Sequence, residues 1–302
     1  MFNTYQRTIK KEVTITGIGL HSGLPVNLKL IPAEENTGII FLKNGISIPA
    51  HIDFASSFEF STSLYKDGQW VKTVEHLMSA LFFLEIDNIY VQIDSEEVPI
   101  LDGSAKVFVE EIQKAGIREL PEEKLVAVLN KEVSIDENGK YIKGKPSNVF
   151  KAVYQASYNN SIIGNKKAVY IHTDKRSFEE IPNARTYCFL EEVEFLKSKG
   201  LAKGGSLENA VVIHNDTVIN PEGFRFEDEP VKHKVLDLIG DLYLLGYPLL
   251  GEFFSYKGGH RLNASFVRKI ISEDAVDIKP ISELKGTHFF SELLRPYGRS
   301  YW

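Results

Sequence analysis

The chain carries a single cysteine, Cys188, in 302 residues. That excludes an internal disulfide and a thiolate zinc cluster, and it fits a reducing cytoplasm. Also missing is any apolar run long enough to cross a bilayer without interruption by charge, so no integral membrane segment is expected. The opening MFNTYQRTIKKEV has charge but no apolar stretch behind it, and reads as neither a signal nor a transit peptide. Positive charge is not in excess either. A net charge of −6 and a pI near 5.8 leave no general basic field for nucleic acid, although a local patch could hold a phosphate-bearing small molecule. What is there is ordinary globular composition, 43% hydrophobic and 25% charged, enough for one large domain or two of about 150 residues. A monomer is the default expectation.

Residues 11–60 alternate in short segments broken by turn signals, which predicts antiparallel strands at Glu12–Thr16, Val26–Leu30, Gly38–Leu42 and Ile46–Ile52 with Asn44-Gly45 as a hairpin turn. From Thr73 the period changes. Val74, Leu77, Ala80, Leu81 and Leu84 recur at helical spacing behind Thr73, a residue able to cap a helix. A strand at Asn88–Ile93 and a helix at Ala105–Ala115 follow, the latter introduced by Asp102 and Ser104. The segment 116–124, with Pro121 and several charges, reads as a linker between a domain of residues 1–120 and another of 125–302. Beyond it the pattern predicts strands near Val126–Ile135, Tyr141–Lys145, Phe150–Tyr158, Ala168–His172 and Phe253–Lys257. Helices are expected at Leu190–Lys199, Val231–Leu245 and about Ser265–Ser272. The fold class is therefore α+β, with a duplicated architecture suggested by element order alone.

Three segments carry candidate chemistry: TVEHL at Thr73–Leu77, KHKVLDLIGD at Lys232–Asp241 and KGGH at Lys257–His260. His233 and Asp237 are four apart on a predicted helix, so their side chains share one face and can bite one metal ion twice. The same spacing also suits an ordinary hydrogen-bonded pair, and an adjacent Glu75-His76 is weak in isolation. A catalytic zinc site takes three N or O ligands and leaves one position for water; His76, His233 and Asp237 supply that number. Glu75 is then the natural base; a dry pocket would push its pKa up and a zinc ion would push it down. His260 follows Gly258-Gly259, read as a flexible turn, and suits a cationic stabiliser or an acid for the leaving amine. Asp241 can orient His260 and raise its pKa, or act as a simple N–H acceptor.

Together these segments resemble the UDP-3-O-acyl-N-acetylglucosamine deacetylases over nearly the whole chain. The resemblance runs through TGIGLHSG (Thr16–Gly23), KTVEHLMSAL (Lys72–Leu81), VPILDGSA (Val98–Ala105), NARTYCF (Asn183–Phe189), LAKGGSLENAVV (Leu201–Val212), FRFEDEPVKHKVLDLIGDLYLLG (Phe224–Gly246) and KGGHRLN (Lys257–Asn263). Seven collinear motifs leave little room for chance. The resemblance implies a single zinc ion held by His76, His233 and Asp237, Glu75 as general base, and His260 with Asp241 as electrostatic or acid partner. It implies further that Thr186 bonds the developing oxyanion and that Lys234, otherwise an unremarkable helix charge, reaches the phosphate or sugar of the substrate. Tyr187 stands where the family usually has phenylalanine, which keeps a stacking face for sugar or uracil and adds a hydroxyl.

An insert at about residues 189–212 would form an apolar passage for the fatty acyl chain. Val193, Leu196, Leu201, Ala202, Leu207 and Val212 would line it, although the same residues also read as an amphipathic core. The implied fold is two similar α+β domains with zinc in the cleft between them. The implied reaction removes acetate from the N-acetyl group of a UDP-linked acyl sugar, the committed step of lipid A synthesis. A related zinc deacetylase for another N-acetyl compound and a silent nucleotide-sugar binder are the alternatives; the filled set Glu75, His76, His233, Asp237 and His260 counts against the second. His21 belongs by its motif near the cleft. His51, His172, His214 and His288 show no partner pattern and read as structural or surface residues, and Cys188 reads as packing.

Overall fold

The computed structural model describes residues 2–159 and 162–285. Strands β1 (Tyr5–Ile9), β2 (Val13–Ile18), β3 (Pro25–Pro32), β4 (Ile39–Lys43) and β5 (Ile46–Pro49) come first. Three short strands follow, β6 (Ala55–Ser57), β7 (Ser63–Lys66) and β8 (Gln69–Val71), then helix α1 (Glu75–Phe83), β9 (Ile89–Ile93) and helix α2 (Lys106–Ala115). In β3, Val26, Leu28 and Leu30 are buried while Asn27 between them is exposed, the period-2 pattern of a sheet with one wet face. Asn44 and Gly45 both have positive φ, 48° and 79°, as a type I′ hairpin requires. Asp67-Gly68 and Asn138-Gly139 adopt the same signs. The main sheet of this half has the order β2-β3-β9-β4-β5 and is antiparallel except where β4 runs parallel to β9.

The expected linker is a strand. Strand β10 (Ile117–Glu123) pairs antiparallel with β1, so one edge of this charged segment is bonded to the N-terminal strand. The expected strand at 126–135 is two, β11 (Leu125–Leu129) and β12 (Val133–Glu137), followed by β13 (Lys140–Lys145), β14 (Phe150–Gln155) and β15 (Lys167–Ile171). Next come helix α3 (Lys175–Glu180), β16 (Tyr187–Phe189), helix α4 (Leu190–Ser198), β17 (Val211–His214) and β18 (Thr217–Val218). Helix α5 (Glu229–Leu242), strand β19 (Leu249–Tyr256), helix α6 (His260–Ser272), strand β20 (Val276–Pro280) and helix α7 (Ile281–Lys285) complete the described chain. The large sheet of this half runs β12-β13-β19-β11-β20, with β14 bonded to β19 and β15 beyond it. The segment expected as an insert is a small βαβ unit: β16 and β17 are parallel, α4 connects them, and β18 closes the edge.

Helix α1 is buried along its whole length, which an all-round apolar sequence predicts. Thr73 does not cap it. That residue sits at φ 57° and donates its hydroxyl to Glu97 Oε1 at 3.2 Å, while Val74 occupies the cap position without a side-chain bond. Against α1 lies α5, and the two backbones approach at Gly240. A Cβ there would stand 2.2 Å from the Glu75 carbonyl oxygen and 2.8 Å from Ser79 Oγ. One turn earlier Ser79 donates its hydroxyl to the Leu236 carbonyl at 2.5 Å. Helices this close need a residue without a side chain at the crossing. Gly240→Ala should therefore cost about 1–3 kcal/mol through overpacking, read as a lowered thermal midpoint; a midpoint equal to the wild type would contradict this contact.

Candidate metal centre

The crossing of α1 and α5 sets the site. His76 follows Glu75 in the first turn of α1, and His233 and Asp237 occupy consecutive turns of α5. One ligand atom from each of the three lies within 4.8 Å of the others, and all three residues are buried. His76 Nε2 and His233 Nε2 stand 3.7 and 3.3 Å from Asp237 Oδ1. Asp237 Oδ2 accepts from Lys234 Nζ at 2.8 Å, but Oδ1 has no hydrogen-bond partner among the described residues. A buried carboxylate oxygen left without a donor is costly unless a cation meets it. The donor set, two imidazoles and one carboxylate, suits a divalent ion of the zinc type.

Proton bookkeeping agrees. Burial lowers the His233 pKa to about 3, helped by His76 and Lys234 and opposed by Asp237, so its ring is neutral and able to ligate. Its Nδ1 lies 3.0 Å from the Ala184 carbonyl, which fixes the proton on Nδ1 and leaves the Nε2 lone pair free. Burial would raise Asp237, but His233, Lys234 and the nearby His76 outweigh it and hold the carboxyl well below the usual range. Glu75 goes the other way: burial pushes its pKa up, and His260 and His76 only partly offset this.

His260 is not on a flexible turn. It is the first residue of α6, after an extended Gly259. Its Nδ1 is 2.9 Å from Asp241 Oδ2, which also accepts from Asn263 Nδ2 at 2.8 Å. Asp241 is thus both the partner of His260 and an ordinary acceptor. Burial would depress His260, but the charge and hydrogen bond of Asp241, with Asp237 and Glu75 behind them, hold it up at about 9. Thr62 ties the two carboxylates together: its N–H donates to Glu75 Oε2 at 3.0 Å and its hydroxyl to Asp241 Oδ1 at 2.6 Å. The sequence assigned no role to Thr62, which lies outside every motif, or to Asn263, the last residue of the KGGHRLN motif.

Thr186 sits on the segment leading into β16; its N–H donates to Gly103 O at 2.7 Å and its carbonyl accepts from Val211 N at 2.8 Å. Gly103, at φ 81°, lies so near Asn209 that a Cβ would meet that carbonyl oxygen at 2.1 Å. Lys234 Nζ lies 5.7 Å above the ring of Tyr187, whose hydroxyl is 2.9 Å from that of Tyr158. Of the expected passage residues, Val193 is half-buried on α4, Ala202 is half-buried at φ 52°, Leu207 is exposed and Val212 is buried on β17. The loop after α4 reaches the His21 segment, with Gly204 N donating to Leu20 O at 3.0 Å. The His21 ring lies 6.5 Å from Phe60. His51, His172 and His214 have carboxylate partners of their own, Asp53, Glu85 and Glu191; His288 lies outside the described residues.

Three buried N and O side chains able to hold one metal ion, with a separate buried glutamate and a histidine paired to a carboxylate, fit the class of metal-dependent hydrolases. Residues 6–272 match the family described as LpxC, UDP-3-O-acyl N-acetylglycosamine deacetylase, and the chain belongs to that family. It is similar to proteins named UDP-3-O-acyl-N-acetylglucosamine deacetylase from several bacteria. Identity is 42% over 275 residues with the Nautilia profundicola protein, covering 90% of this chain and 94% of that one. With the Aquifex aeolicus protein it is 43% over 265 residues, covering 88% and 92%. With the Teredinibacter turnerae protein it is 44% over 285 residues, covering 92% and 94%. No helix among the described residues is long and apolar enough to cross a membrane.

The centre should hold a single divalent ion per chain when measured by elemental analysis. His233→Ala, which removes a ligand whose ring is already neutral, should lose that ion to mild chelation; a variant that keeps it as tightly as the wild type would show that the ion sits elsewhere.

Proposed function

We propose that the chain hydrolyses the N-acetyl group of UDP-3-O-acyl-N-acetylglucosamine to UDP-3-O-acyl-glucosamine and acetate, using zinc held by His76, His233 and Asp237. This is the step that commits a nucleotide-activated acyl sugar to lipid A synthesis. The observation that carries the reading is the pairing of Glu75, whose pKa burial raises, with His260, held cationic by Asp241, next to the His76, His233 and Asp237 cluster and linked to each other through Thr62 and Asp241. Pairs of groups whose environments push their pKa values apart mark acid and base roles. Zinc held by those residues would lower the pKa of a water and polarise the amide carbonyl.

The side chains do the rest. Glu75 takes a proton from the attacking water as the new C–O bond forms. The Thr186 hydroxyl and the His260 imidazolium stabilise the charge that grows on the carbonyl oxygen. When the C–N bond breaks, the leaving nitrogen takes a proton from His260 Nε2, the ring nitrogen not engaged by Asp241. Acetate and the free 2-amino group result. Lys234 contacts the phosphate or sugar, Tyr187 offers its ring to sugar or uracil, and the βαβ insert with Val193, Ala202, Leu207 and Val212 takes the acyl chain.

We read residues 1–120 and 125–302 as two domains, supported by sheets that do not share strands across that division apart from the β1–β10 pair. The reaction is placed in the cytoplasm and assigned to a monomer. A reducing compartment suits Cys188, whose thiol burial and Glu192 push up to about 11, away from reactivity.

The decisive assay follows deacetylation of the UDP-linked acyl sugar by the protein as isolated, after chelation and after zinc is restored. Glu75→Ala should lose activity by orders of magnitude while keeping its metal; an inactive wild type with a full zinc site would sink the proposed substrate. A second expectation concerns pH. With His260 held up to about 9, activity should fall as pH rises through that value. Asp241→Asn removes the charge that favours the protonated ring, so the fall should begin at lower pH. A basic limb unmoved by that substitution would assign it to another group.

A further inference from the structure

Glu229 is fully buried at the first position of α5, one helical turn before His233, and its hydrogen bonds go to Arg185 and Arg225 and not to the groups assigned to metal or substrate. Its carboxylate accepts from two segments of chain, at Arg185 and at Arg225. Oε1 accepts from the N–H of Arg185 at 2.9 Å and from Arg185 Nε at 2.8 Å. Oε2 accepts from Arg185 Nη2 at 3.1 Å and from the N–H of Arg225 at 2.6 Å. The Arg185 fork is completed by the Gly223 carbonyl at 2.7 Å and by Glu222.

A residue gripped at both its main-chain N–H and its guanidinium cannot rotate about the chain axis, because a bidentate arginine pair fixes a plane as well as a distance. The neighbours of Arg185 are the two that matter. On one side the Ala184 carbonyl meets His233 Nδ1 at 3.0 Å. On the other, Thr186 leads into β16 and is held by Gly103. We propose that Glu229 is a positioning residue of the metal centre: by clamping Arg185 to the start of α5 it sets the Ala184 carbonyl against His233 and the Thr186 hydroxyl toward the reacting carbonyl. A carboxylate one turn from a ligand on the same helix also keeps the two ends of this link on one rigid element, so the register between segment 184–186 and His233 does not depend on loop packing.

The test separates positioning from plain stabilisation. Glu229→Gln keeps the volume but turns an amide N–H₂ toward donors that need an acceptor. In that variant, zinc affinity measured by chelator competition should fall about 10–100-fold, the range for partners that orient metal-ligating histidines. At saturating zinc, kcat should also fall with KM nearly unchanged, since Glu229 does not contact substrate. Arg185→Lys retains the charge but not the fork, and should weaken zinc in the same direction; it serves if the glutamine variant does not fold. Folded variants with wild-type zinc affinity and kcat, showing only a lowered thermal midpoint, would overturn the proposal. Its kinetic part rests on the deacetylase reading, but the zinc measurement does not. A wild type that fails to deacetylate therefore strikes that reading alone.

Discussion

The centre depends on how closely α1 and α5 approach. At Gly240 the two backbones leave no room for a methyl group beside the Glu75 carbonyl, and Ser79 bonds across the gap to Leu236. That contact sets the distance between His76 on one helix and His233 with Asp237 on the other. It also places Glu75 within reach of Asp241, the residue after Gly240, through Thr62. Glu75 and His76 on one side, and His233, Asp237 and Asp241 on the other, therefore share one pair of helices, whose buried faces are otherwise mostly apolar. The large apolar contact around them supplies the free energy that offsets burying so many ionisable groups.

Those groups are arranged by charge. Glu75, Asp237 and Asp241 are three buried carboxyls in one neighbourhood, faced by Lys234 and His260 as cations. Each cation is bound to one carboxylate, Lys234 to Asp237 and His260 to Asp241, which leaves Glu75 without a cationic partner of its own and explains why burial raises its pKa while that of Asp237 falls. Asp237 divides its two oxygens, one for the ammonium and one turned to the histidines without a hydrogen bond. A divalent cation resolves that imbalance more fully than a proton would, since His233 stays neutral down to about 3.

Much of this was legible from local pattern. The His233/Asp237 spacing, the helical period from Val74 and the Asn44-Gly45 turn depend on neighbours a few residues away, and each appears where the pattern placed it. What was illegible is made of contacts distant in sequence or carried by the backbone. Thr62 reaches Asp241 across 179 positions, and the partner of His233 is a carbonyl, which any residue could supply. Segment 116–124 read as a linker because its charges and proline suggest solvent, but pairing with β1 asks only for free backbone groups on one edge. The Gly258-Gly259 pair suggested mobility at His260, whereas Gly259 simply precedes a helix in extended conformation. Thr73 failed as a cap because Glu97, not the helix, takes its hydroxyl.

The insert poses a packing question that the rest of the fold does not. Helix α4 buries none of its residues, and Phe195 on it is 54% exposed. A nine-residue helix is too short to hold itself by propensity in water. Local devices help, including Glu192 accepting from the N–H of Phe189 and Glu191 paired with His214 on β17. They fasten the N-terminal end of the helix while its face at Val193 and Leu196 is covered only in part. Such a face gains most from an apolar chain laid along it, because the frame is already ordered and little further entropy is lost on binding. The proposed acyl passage would in this way complete the packing of the insert, tying the grip on the fatty chain to the order of the segment that leads back through Tyr187 and Thr186 to the metal centre.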